Sequence, residues 1–502
     1  MDVLSKIFNA KFIFLSFLAC VILWLVYKFI EEKLSPLQKI PSPPGKWPLV
    51  GHLFTFLRGD VLELLRSWSE QYSPMFVYHP GLRTGIGGYT VCLTDPELIR
   101  YVAVNGHKFH RPDFVKRQIP SIGNGLFSSN GKAHARQKRM VGPAFTTKNL
   151  KGFSRIFQEN VENLVKLWSS KLEDPVAVHD DLSHLTLDVI GQCAFGCNFN
   201  TVLAGESKVS EAVNAVIGGM SFRYMVCKGL IPFFELLPIA ETRRIKEARE
   251  IADNTVLEVI QERRKERKTG IVKEKKDLLD FLMDMYDEET GTKMEDEELR
   301  AQVFTFMVAG HETTSVALAW TLYELAKNPL IQEKVRAEIN TVLCEGDELT
   351  WDTVEELKYL ENVIKESLRL HPPAHLTGRI PISDEIVGGY LIPKGADILL
   401  PIDSLQHMSQ HWQNPDEFYP ERFNEKDGRS SVQPYSYFPF GVGPRMCIGN
   451  KFAKMEMKVM LANLLKTFSF SEVPGCTVKA VPLLTARPKG LELLIRLADP
   501  DN

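Results

Sequence analysis

The sequence predicts one large, mainly α-helical domain with small β-sheets, preceded by a single transmembrane helix. Three observations indicate this arrangement. Stretches with helical periodicity dominate the chain beyond residue 50. Strand-like segments are few and short, and no internal repeat and no second linker rich in Pro, Gly or Ser interrupts this part of the chain. A continuous apolar run stands close to the N-terminus.

Composition limits the classes of function. The 502 residues include 60 basic and 63 acidic side chains, for a net charge of -3. This balance argues against nucleic acid as a partner. The eight cysteines show no zinc-site or disulfide spacing, and no Asn-x-Ser/Thr acceptor occurs, so we expect the body of the chain to lie in the reducing cytosol.

Residues 12–30 form the apolar run, interrupted only by Lys28. At about 1.5 Å per residue the run reaches roughly 28 Å, enough to cross a bilayer core. A cleaved signal peptide is the alternative, but its apolar stretch is usually shorter and ends in small residues. Trp24, Tyr27 and Lys28 instead form an interfacial pattern. We therefore expect residues 1–34 to be a retained single-pass anchor, with the lysines that follow it on the cytosolic side.

Residues 35–50 contain the proline-rich stretch Pro41-Ser-Pro-Pro-Gly-Lys-Trp-Pro48, which predicts a stiff hinge or a plain domain boundary. Residues 51–502 are then one folded domain. Helical patterns cover residues 161–172, 211–216, 245–268, 295–327 and 450–467. Strand-like segments are residues 75–78, 90–94, 386–392, 397–400 and 491–497.

The stretch Phe440-Gly-Val-Gly-Pro-Arg-Met-Cys447-Ile-Gly449 places one cysteine among three glycines, directly before a helical pattern. A helix N-terminus, backbone N–H groups and the nearby Arg445 all favour the thiolate form. Glycines also let a flat ligand approach the backbone closely. Dinucleotide binding is excluded, because Met446 stands where a third glycine is needed and no βαβ pattern surrounds it.

This stretch resembles the haem-binding signature of cytochromes P450, F-x-x-G-x-R-x-C-x-G, at every fixed position. The resemblance extends from the proline stretch to the end of the chain and implies the cytochrome P450 fold. It implies that Cys447 is the metal ligand, the proximal thiolate on haem iron. It also implies that Phe440 and Gly441 contact the haem and that Arg445 binds a haem propionate.

Two further motifs resemble structural elements of the same family. Glu366-Ser-Leu-Arg369 is similar to its E-x-x-R motif, and Pro420-Glu-Arg422-Phe423 is similar to its PERF element. The resemblance implies that Glu366, Arg369 and Arg422 form a buried triad that supports the cysteine loop. We interpret these three residues as structural rather than catalytic.

Ala309-Gly-His-Glu-Thr-Thr314 resembles the oxygen-activation motif of the family. Threonine hydroxyls in a helix can bond back to carbonyl groups. By resemblance, Thr313 and Glu312 are the catalytic residues, with Thr313 holding bound oxygen and Glu312 helping to deliver protons. We expect His311 to be packed in the helix.

The remaining haem contacts also follow from the resemblance. Arg379 stands where P450s place a propionate-binding arginine. The segment 131–139 resembles the family's W-x-x-x-R region, but it has His134 and Lys138 at the two key positions, and we carry the propionate role over to both. Ala309 stands where some fatty-acid ω-hydroxylases have a haem-esterifying glutamate, so we expect non-covalent haem b.

The resemblance places the substrate pocket along residues 119–127, 220–222, 304–313 and 376–377, which are mostly apolar. This favours a hydrophobic, lipid-like small molecule as substrate. No flavin or dinucleotide module is visible, so electrons must come from a partner. We expect NADPH-cytochrome P450 reductase, with cytochrome b5 as a second candidate, docking on a basic face formed by Lys451, Lys454, Lys458, Lys132, Arg136 and Arg139.

The expected function is therefore a haem-thiolate monooxygenase that uses O2 and NADPH electrons at the endoplasmic reticulum membrane, with its catalytic domain facing the cytosol. A reductase-independent P450 that rearranges peroxides is one alternative, although such members typically lack the acid–alcohol pair. A haem-binding protein without turnover is the other, and the intact oxygen-activation motif disfavours it.

Overall fold

The computed structural model describes the chain apart from residues 1–14, 17–18, 20–21, 25, 49, 82–87, 206, 220, 232–233, 270–275, 344–348, 425–431 and 499–502. Contacts within the chain divide it into two units. The first is Met1–His110 with Gly378–Pro401, and the second is Arg111–Thr377 with Ile402–Asn502.

The first unit is built on a five-stranded sheet. Its strands lie in the order Met75–Tyr78, Thr90–Leu93, Asp397–Leu400, Thr377–Pro381 and Phe109–His110. The first two strands pair antiparallel, and Asp397–Leu400 runs parallel to Thr90–Leu93. Both of the first two strands are buried along their whole length. Their β-branched, aromatic and apolar residues suit such a surface.

A separate hairpin in this unit corrects one sequence prediction. Residues 386–392 were expected to form a single strand, but the structure has two, Glu385–Val387 and Tyr390–Ile392. Gly388 and Gly389 between them have φ values of +57° and +83°. Positive φ at both central residues is what a tight two-residue hairpin turn requires.

The helices of the first unit are Leu53–Arg58, Val61–Gln71 and Pro96–Val104, and Pro36–Lys39 forms a 3₁₀ turn. Asp60 and Asp95 cap the second and third helices, because each carboxylate accepts two backbone N–H groups of the first turn. These caps fix where the helices begin next to the sheet.

The proline-rich stretch is packed against this unit. The carbonyl of Pro41 accepts a hydrogen bond from Val77 N at 2.9 Å, and His52 Nε2 lies 3.0 Å from Pro43 O. Lys46 forms an ion pair with Glu32 at 2.5 Å. Proline cannot donate a backbone hydrogen bond, but its carbonyl still accepts one. The prolines therefore do not prevent this stretch from packing against the rest of the first unit.

The predicted anchor at residues 1–34 falls partly outside the described residues. Within the described part of the chain, no helix combines the length and the apolar character needed to cross a membrane. Residues 26–34 are helical, and Val26, Tyr27, Phe29 and Ile30 expose large apolar side chains.

The second unit is mainly helical. Its helices are Phe114–Gln118, Gly131–Val141, Thr147–Leu150, Ser154–Ser169, Val178–Phe195, Thr201–Ala204, Lys208–Gly218, Phe222–Leu230, Ala240–Lys268, Leu278–Asp284, Asp296–Lys327, Pro329–Val342, Trp351–Glu355, Lys358–Leu370, Ile402–Leu405 and Asn450–Thr467. Its strands form two small sheets, Pro175–Val176 with Leu493–Leu497 and Phe468–Glu472, and Lys479–Pro482 with Ala486–Lys489. The helical patterns and the C-terminal strand predicted from the sequence are all confirmed, with shifted ends.

Asp296–Lys327, which we call the central helix, runs through the core of this unit. A capping box of Glu295 and Glu298 begins it. Its residues are buried on nearly all sides, and it packs against Val178–Phe195. A helix that is apolar all round belongs in a core, so polar residues along it call for individual explanation.

Candidate active site

The loop from Phe440 to Gly449, the cysteine loop, leads into the helix Asn450–Thr467, the cysteine helix. Gly441 and Gly443 both have φ of +71°, a left-handed conformation that side-chain-bearing residues rarely adopt. Cys447 N donates to Phe440 O at 2.8 Å and closes the loop. The glycine positions in the sequence are therefore explained by the turn that presents the cysteine.

The Cys447 side chain has exposed surface, yet protein atoms crowd around it, so it faces an internal space. Burial raises the pKa of the thiol, whereas a backbone hydrogen bond from Gly449 and the positive charge of Arg111 act to lower it. Arg111 was not predicted from the sequence. A lone arginine has no spacing signal, and only the fold brings it near the cysteine, with its guanidinium 4.0 Å from the ring centre of Phe127.

Cations gather next to the cysteine loop. Arg445 donates to Ser129 O at 2.5 Å and to Asn130 Oδ1 at 2.6 Å. Lys138 donates to Pro444 O at 2.6 Å, and its pKa is lowered by burial and by the charge of Arg445. Two cations close enough to repel each other are an arrangement that a bound anion would stabilise.

The other two predicted propionate ligands lie as follows. His134 is buried on the helix Gly131–Val141, the same helix as Lys138. Arg379 belongs to the first unit, on the strand Thr377–Pro381, where burial lowers its pKa to about 10.

The Ala309–Thr314 segment, the threonine turn, interrupts the burial of the central helix. Ala309 is exposed and Gly310 and Thr313 are half-buried, whereas their neighbours are buried. Thr313 Oγ1 donates to Ala309 O at 2.7 Å, which confirms the expected bond back to the carbonyl. A Cβ on Gly310 would lie 2.6 Å from Ile190, so only glycine fits there without a shift.

Phe145 connects the cysteine loop with the central helix. Its ring lies 5.7 Å from that of Phe306, centre to centre, and 3.8 Å from a Cβ built on Gly449. That same Cβ would lie 3.9 Å from Cys447 Sγ. Phe145 therefore lies between the Gly449 end of the cysteine loop and Phe306 of the central helix.

Glu312 is fully buried and forms a bidentate ion pair with Arg487. Arg487 Nε and Nη2 each lie 2.5 Å from a carboxylate oxygen, and the Thr485 hydroxyl also donates to the carboxylate. Arg487 further donates to Asn214 Oδ1 at 2.8 Å. Burial acts to raise the pKa of Glu312, but Arg487 outweighs it and the pKa is lowered. Arg487 was not predicted from the sequence, because it lies 175 residues from Glu312 along the chain.

His311 points away from this ion pair into the helix Val178–Phe195. Its Nε2 lies 2.7 Å from Ser183 Oγ, and Thr186 Oγ1 donates to its carbonyl at 2.9 Å. Burial lowers its pKa to about 4. The prediction that His311 is packed in the helix is confirmed.

The predicted structural triad is present. Arg369 forms two hydrogen bonds of 2.9 Å with Glu366, and Arg422 Nε donates to Glu366 at 2.8 Å. Glu366 and Arg369 are 0% exposed, and Arg369 also donates to the carbonyls of Gln406 and Pro415. Such fully bonded charges hold surrounding loop carbonyls in place.

The predicted basic face needs correction. Lys458 is buried, where it donates to Val354 O and Glu361, because this side of the cysteine helix turns toward the core. Arg136 pairs with Glu298, and Arg139 pairs with Asp287 and Glu289. Lys132, Lys451 and Lys454 remain at the surface, and Lys451 Nζ donates to Thr147 Oγ1 at 3.2 Å.

Two of the segments predicted to line a substrate pocket contact each other. A Cβ on Gly125 would lie 2.9 Å from Thr305 Oγ1, and just before the second segment Gln302 Oε1 accepts a hydrogen bond from Leu126 N at 3.0 Å. The prediction at Met220 lies outside the described residues.

These features fit a flat, anionic, thiolate-bound cofactor: an enclosed thiol, a glycine loop beside it and adjacent cations. Comparison with known proteins agrees. The family model described as "Cytochrome P450" matches residues 41–494. Cytochrome P450 4c21 of Blattella germanica is 32% identical over 92% of this chain and 94% of its own length. Cytochrome P450 3A16 of Mus musculus is 32% identical over 96% and 94%.

A cytokinin hydroxylase of Arabidopsis thaliana is 31% identical over 86% of this chain and 83% of its own length. Among solved structures, a cytochrome P450DA haem domain matches with a TM-score of 0.80 and 31% identity, covering 92% of this chain and 98% of that one. The fold and the site therefore define a haem-thiolate enzyme with protoporphyrin IX. The chain belongs to the cytochrome P450 family of monooxygenases.

Proposed function

We propose that this chain inserts one oxygen atom from O2 into a hydrophobic, lipid-like substrate, using NADPH electrons delivered by a separate reductase. The observation that carries the proposal is the Cys447 thiol, which is surrounded by protein atoms in the glycine-containing cysteine loop and lies near Phe145, whose ring packs on Phe306 of the central helix. Haem bound through a cysteine thiolate supplies oxygen binding and O–O bond cleavage.

Cys447 is proposed as the metal ligand, with its thiolate stabilised by the Gly449 backbone and by Arg111. Phe440 and Gly441 are proposed to contact the cofactor from the cysteine loop. Arg445, Lys138, His134 and Arg379 are proposed as propionate ligands, and we add Arg111 to this set. The mutual repulsion of Lys138 and Arg445 supports this role.

Thr313 is proposed to hold bound oxygen through its hydroxyl. Because that hydroxyl donates its one proton to Ala309 O, it has to turn away from the carbonyl before it can donate to bound oxygen. Glu312 is proposed to take part in proton delivery. Its lowered pKa makes it a carboxylate at neutral pH, so it has to accept a proton before it can pass one on. Weakening of the Arg487 pair is the change that would let it do so.

The remaining proposals concern location and partners. Residues 1–34 are proposed as a single-pass anchor in the endoplasmic reticulum membrane, residues 35–50 as the hinge, and residues 51–502 as the catalytic domain facing the cytosol. The exposed apolar residues of 26–34 support the anchor. NADPH-cytochrome P450 reductase, with cytochrome b5 as a second donor, is proposed to dock at the surface that includes Lys451.

The first experiment tests the ligand. The reduced full-length protein is exposed to carbon monoxide, and its absorption band is expected at the position typical of thiolate-bound haem. Cys447→Ala should lose haem or this band, whereas Cys476→Ala, which removes a thiol bonded to Gly490 O, should keep both. A Cys447→Ala protein with an unchanged band would refute the assignment.

The second experiment tests oxygen insertion. The protein is combined with the reductase, NADPH and a panel of fatty acids, sterols and terpenoids, and product, NADPH and hydrogen peroxide are measured together. Thr313→Ala should retain the carbon monoxide band but yield less product and more peroxide per NADPH consumed. Turnover of peroxides without reductase, or no turnover with any substrate, would instead support the two alternative functions.

A further inference from the structure

A buried acid lies behind the threonine turn. Glu456, on the cysteine helix, is 1% exposed, and neither of its carboxyl oxygens has a hydrogen-bond partner. Burial raises the pKa of this carboxyl well above its ordinary value. In the described part of the chain, no lysine or arginine offsets that burial, and the one group that acts against it is Thr314. A carboxylate without a cation is strongly disfavoured in such surroundings, so the neutral acid is expected.

Thr314 differs from the other threonines of the central helix. Thr305, Thr313 and Thr321 each donate to the carbonyl four residues earlier at 2.7 Å. The hydroxyl of Thr314 is buried but makes no such bond. The hydroxyl and the Glu456 carboxyl thus face each other across the packed helices without the geometry of a formed hydrogen bond.

The four residues from Gly310 to Thr313, which precede Thr314, each have a specific contact. Gly310 packs on Ile190, the Thr313 hydroxyl bonds to Ala309 O, and the His311 ring bonds to Ser183. Arg487 holds Glu312. Among the described residues of this turn, His311 Nδ1 and the Thr314 hydroxyl are the buried side-chain polar atoms without a hydrogen-bond partner, and of the two the Thr314 hydroxyl faces Glu456.

We propose that Glu456 is a positioning residue for the threonine turn, in which its neutral carboxyl group hydrogen-bonds to the Thr314 hydroxyl, directly or through one water. A neutral carboxyl has one donor and further acceptor capacity, which matches a hydroxyl that can do both. Two buried polar groups left unpaired are disfavoured, so pairing them is the stable arrangement. Because Thr313 directly precedes Thr314 on the central helix, the pair fixes the helix rotation that leaves Thr313 half-buried while Thr314 is buried.

This inference rests on the proposed function, because it assigns Glu456 to the oxygen-binding side of the same site. The group is not a catalytic residue, since it acts through Thr314. A purely apolar role in packing is the competing explanation. The two differ in the protonation and bonding of Glu456, which can be measured without turnover.

The experiment uses full-length haem-loaded protein at neutral pH. The infrared difference spectrum of wild type minus Glu456→Gln is expected to show the carbonyl stretching band of a neutral carboxyl group. In Thr314→Val this band should shift to the position of a weaker hydrogen bond. If the difference spectrum shows a carboxylate instead, or if Thr314→Val leaves the band in place, the inference is overturned.

The second readout is the stretching band of carbon monoxide bound to the reduced protein, which reports the surroundings of Thr313. Glu456→Gln, which keeps the shape, a donor and an acceptor, should leave one band as in wild type. Glu456→Leu and Thr314→Val should shift or split it. An unshifted band in both would leave only the packing role and refute the inference. If Glu456→Leu does not fold, Thr314→Val decides.

The two proposals fail in different ways. Absence of the thiolate-type absorption band in wild-type protein would contradict the proposed function. The carboxyl band of Glu456 would then still be measured on its own.

Discussion

Replacing Arg487 with methionine tests the ion pair that holds Glu312. The change removes the cation but keeps an unbranched side chain of moderate length. Glu312 is fully buried and loses the main influence that lowers its pKa. Removing one partner of a buried ion pair typically costs about 3–5 kcal/mol, because the remaining charge is left uncompensated.

An upper limit for the charge penalty follows from protonation. The unpaired Glu312 carboxylate can become neutral by binding a proton, and in the unfolded chain this carboxyl has its ordinary pKa of 4.5. At pH 7 this costs about 2.5 × 1.36, or ~3.4 kcal/mol, and at pH 5 about 0.5 × 1.36, or ~0.7 kcal/mol. The loss of stability in Arg487→Met should therefore be roughly 3 kcal/mol at pH 7 and should shrink as the pH falls toward 5.

The direction of the pH dependence follows from the coupling between protonation of Glu312 and folding. In the wild type the lowered pKa of Glu312 contributes stability above the unfolded pKa, and that stability is lost as the pH falls through the folded pKa. In the variant the pKa is raised, so the penalty grows with pH from about 4.5 upward. The difference between the two proteins must therefore widen from pH 5 to pH 7.

The assay is urea unfolding of both proteins at pH 5, 6 and 7, followed by tryptophan fluorescence and circular dichroism. Arg496→Met is the matched control, because Arg496 also lies near the C-terminus but pairs with Glu173 at the surface. It should show no such pH trend. The double variant Glu312→Gln, Arg487→Met should recover much of the lost stability. A penalty that is absent, or that grows as the pH falls, would contradict this account of the ion pair.

Three further predictions follow from single side chains. His311→Gln keeps a hydrogen-bonding group for Ser183 but cannot titrate. Because burial lowers the pKa of His311 to about 4, the free energy of unfolding of the wild type should fall by about 1.4 kcal/mol when the pH is lowered from alkaline values to 5.5. The variant should not show this fall when both proteins are unfolded in urea. Gly310→Ala places a Cβ against Ile190 and should lower stability by about 1–3 kcal/mol with its haem band retained; an unaffected unfolding midpoint would show that Ile190 yields without strain. Arg369→Ala leaves Glu366 buried with one cation fewer and should prevent stable haem loading, seen as a low ratio of haem to protein; normal loading would argue against a supporting role.

Much of the cysteine loop could be predicted from the sequence, because its backbone conformation requires particular residues at particular positions. Gly441 and Gly443 adopt positive φ, and a closed turn with such residues can be expressed in a short contiguous motif. The same holds for the bond from Thr313 to Ala309 O and for the pairing of Glu366 with Arg369 three residues later on one helix. Each of these depends on neighbours close in sequence.

Other features could not be predicted, because they depend on residues brought together from distant parts of the chain. The periodicity of the cysteine helix placed Lys458 on a basic face, but packing turns that side toward Val354 and Glu361. The segment expected as one strand divides at Gly388 and Gly389. The periodicity of a helix or strand predicts which face is apolar, but it does not predict which residues pack against that face.

The sequence by itself determined the family, the thiol that we propose as the iron ligand and the polar turn of the central helix, because each is a contiguous pattern whose chemistry depends on local backbone geometry. Only the tertiary structure decided the pKa shifts of the two buried carboxyl groups at that turn, Glu312 within it and Glu456 behind it. Arg487 lies 175 residues from Glu312 in the sequence and lowers its pKa, whereas burial raises the pKa of Glu456, and among the described residues no lysine or arginine offsets that burial. The pKa values of the two carboxyl groups shift in opposite directions because burial penalises the charge of both, and of the two only Glu312 has a described cation as its partner.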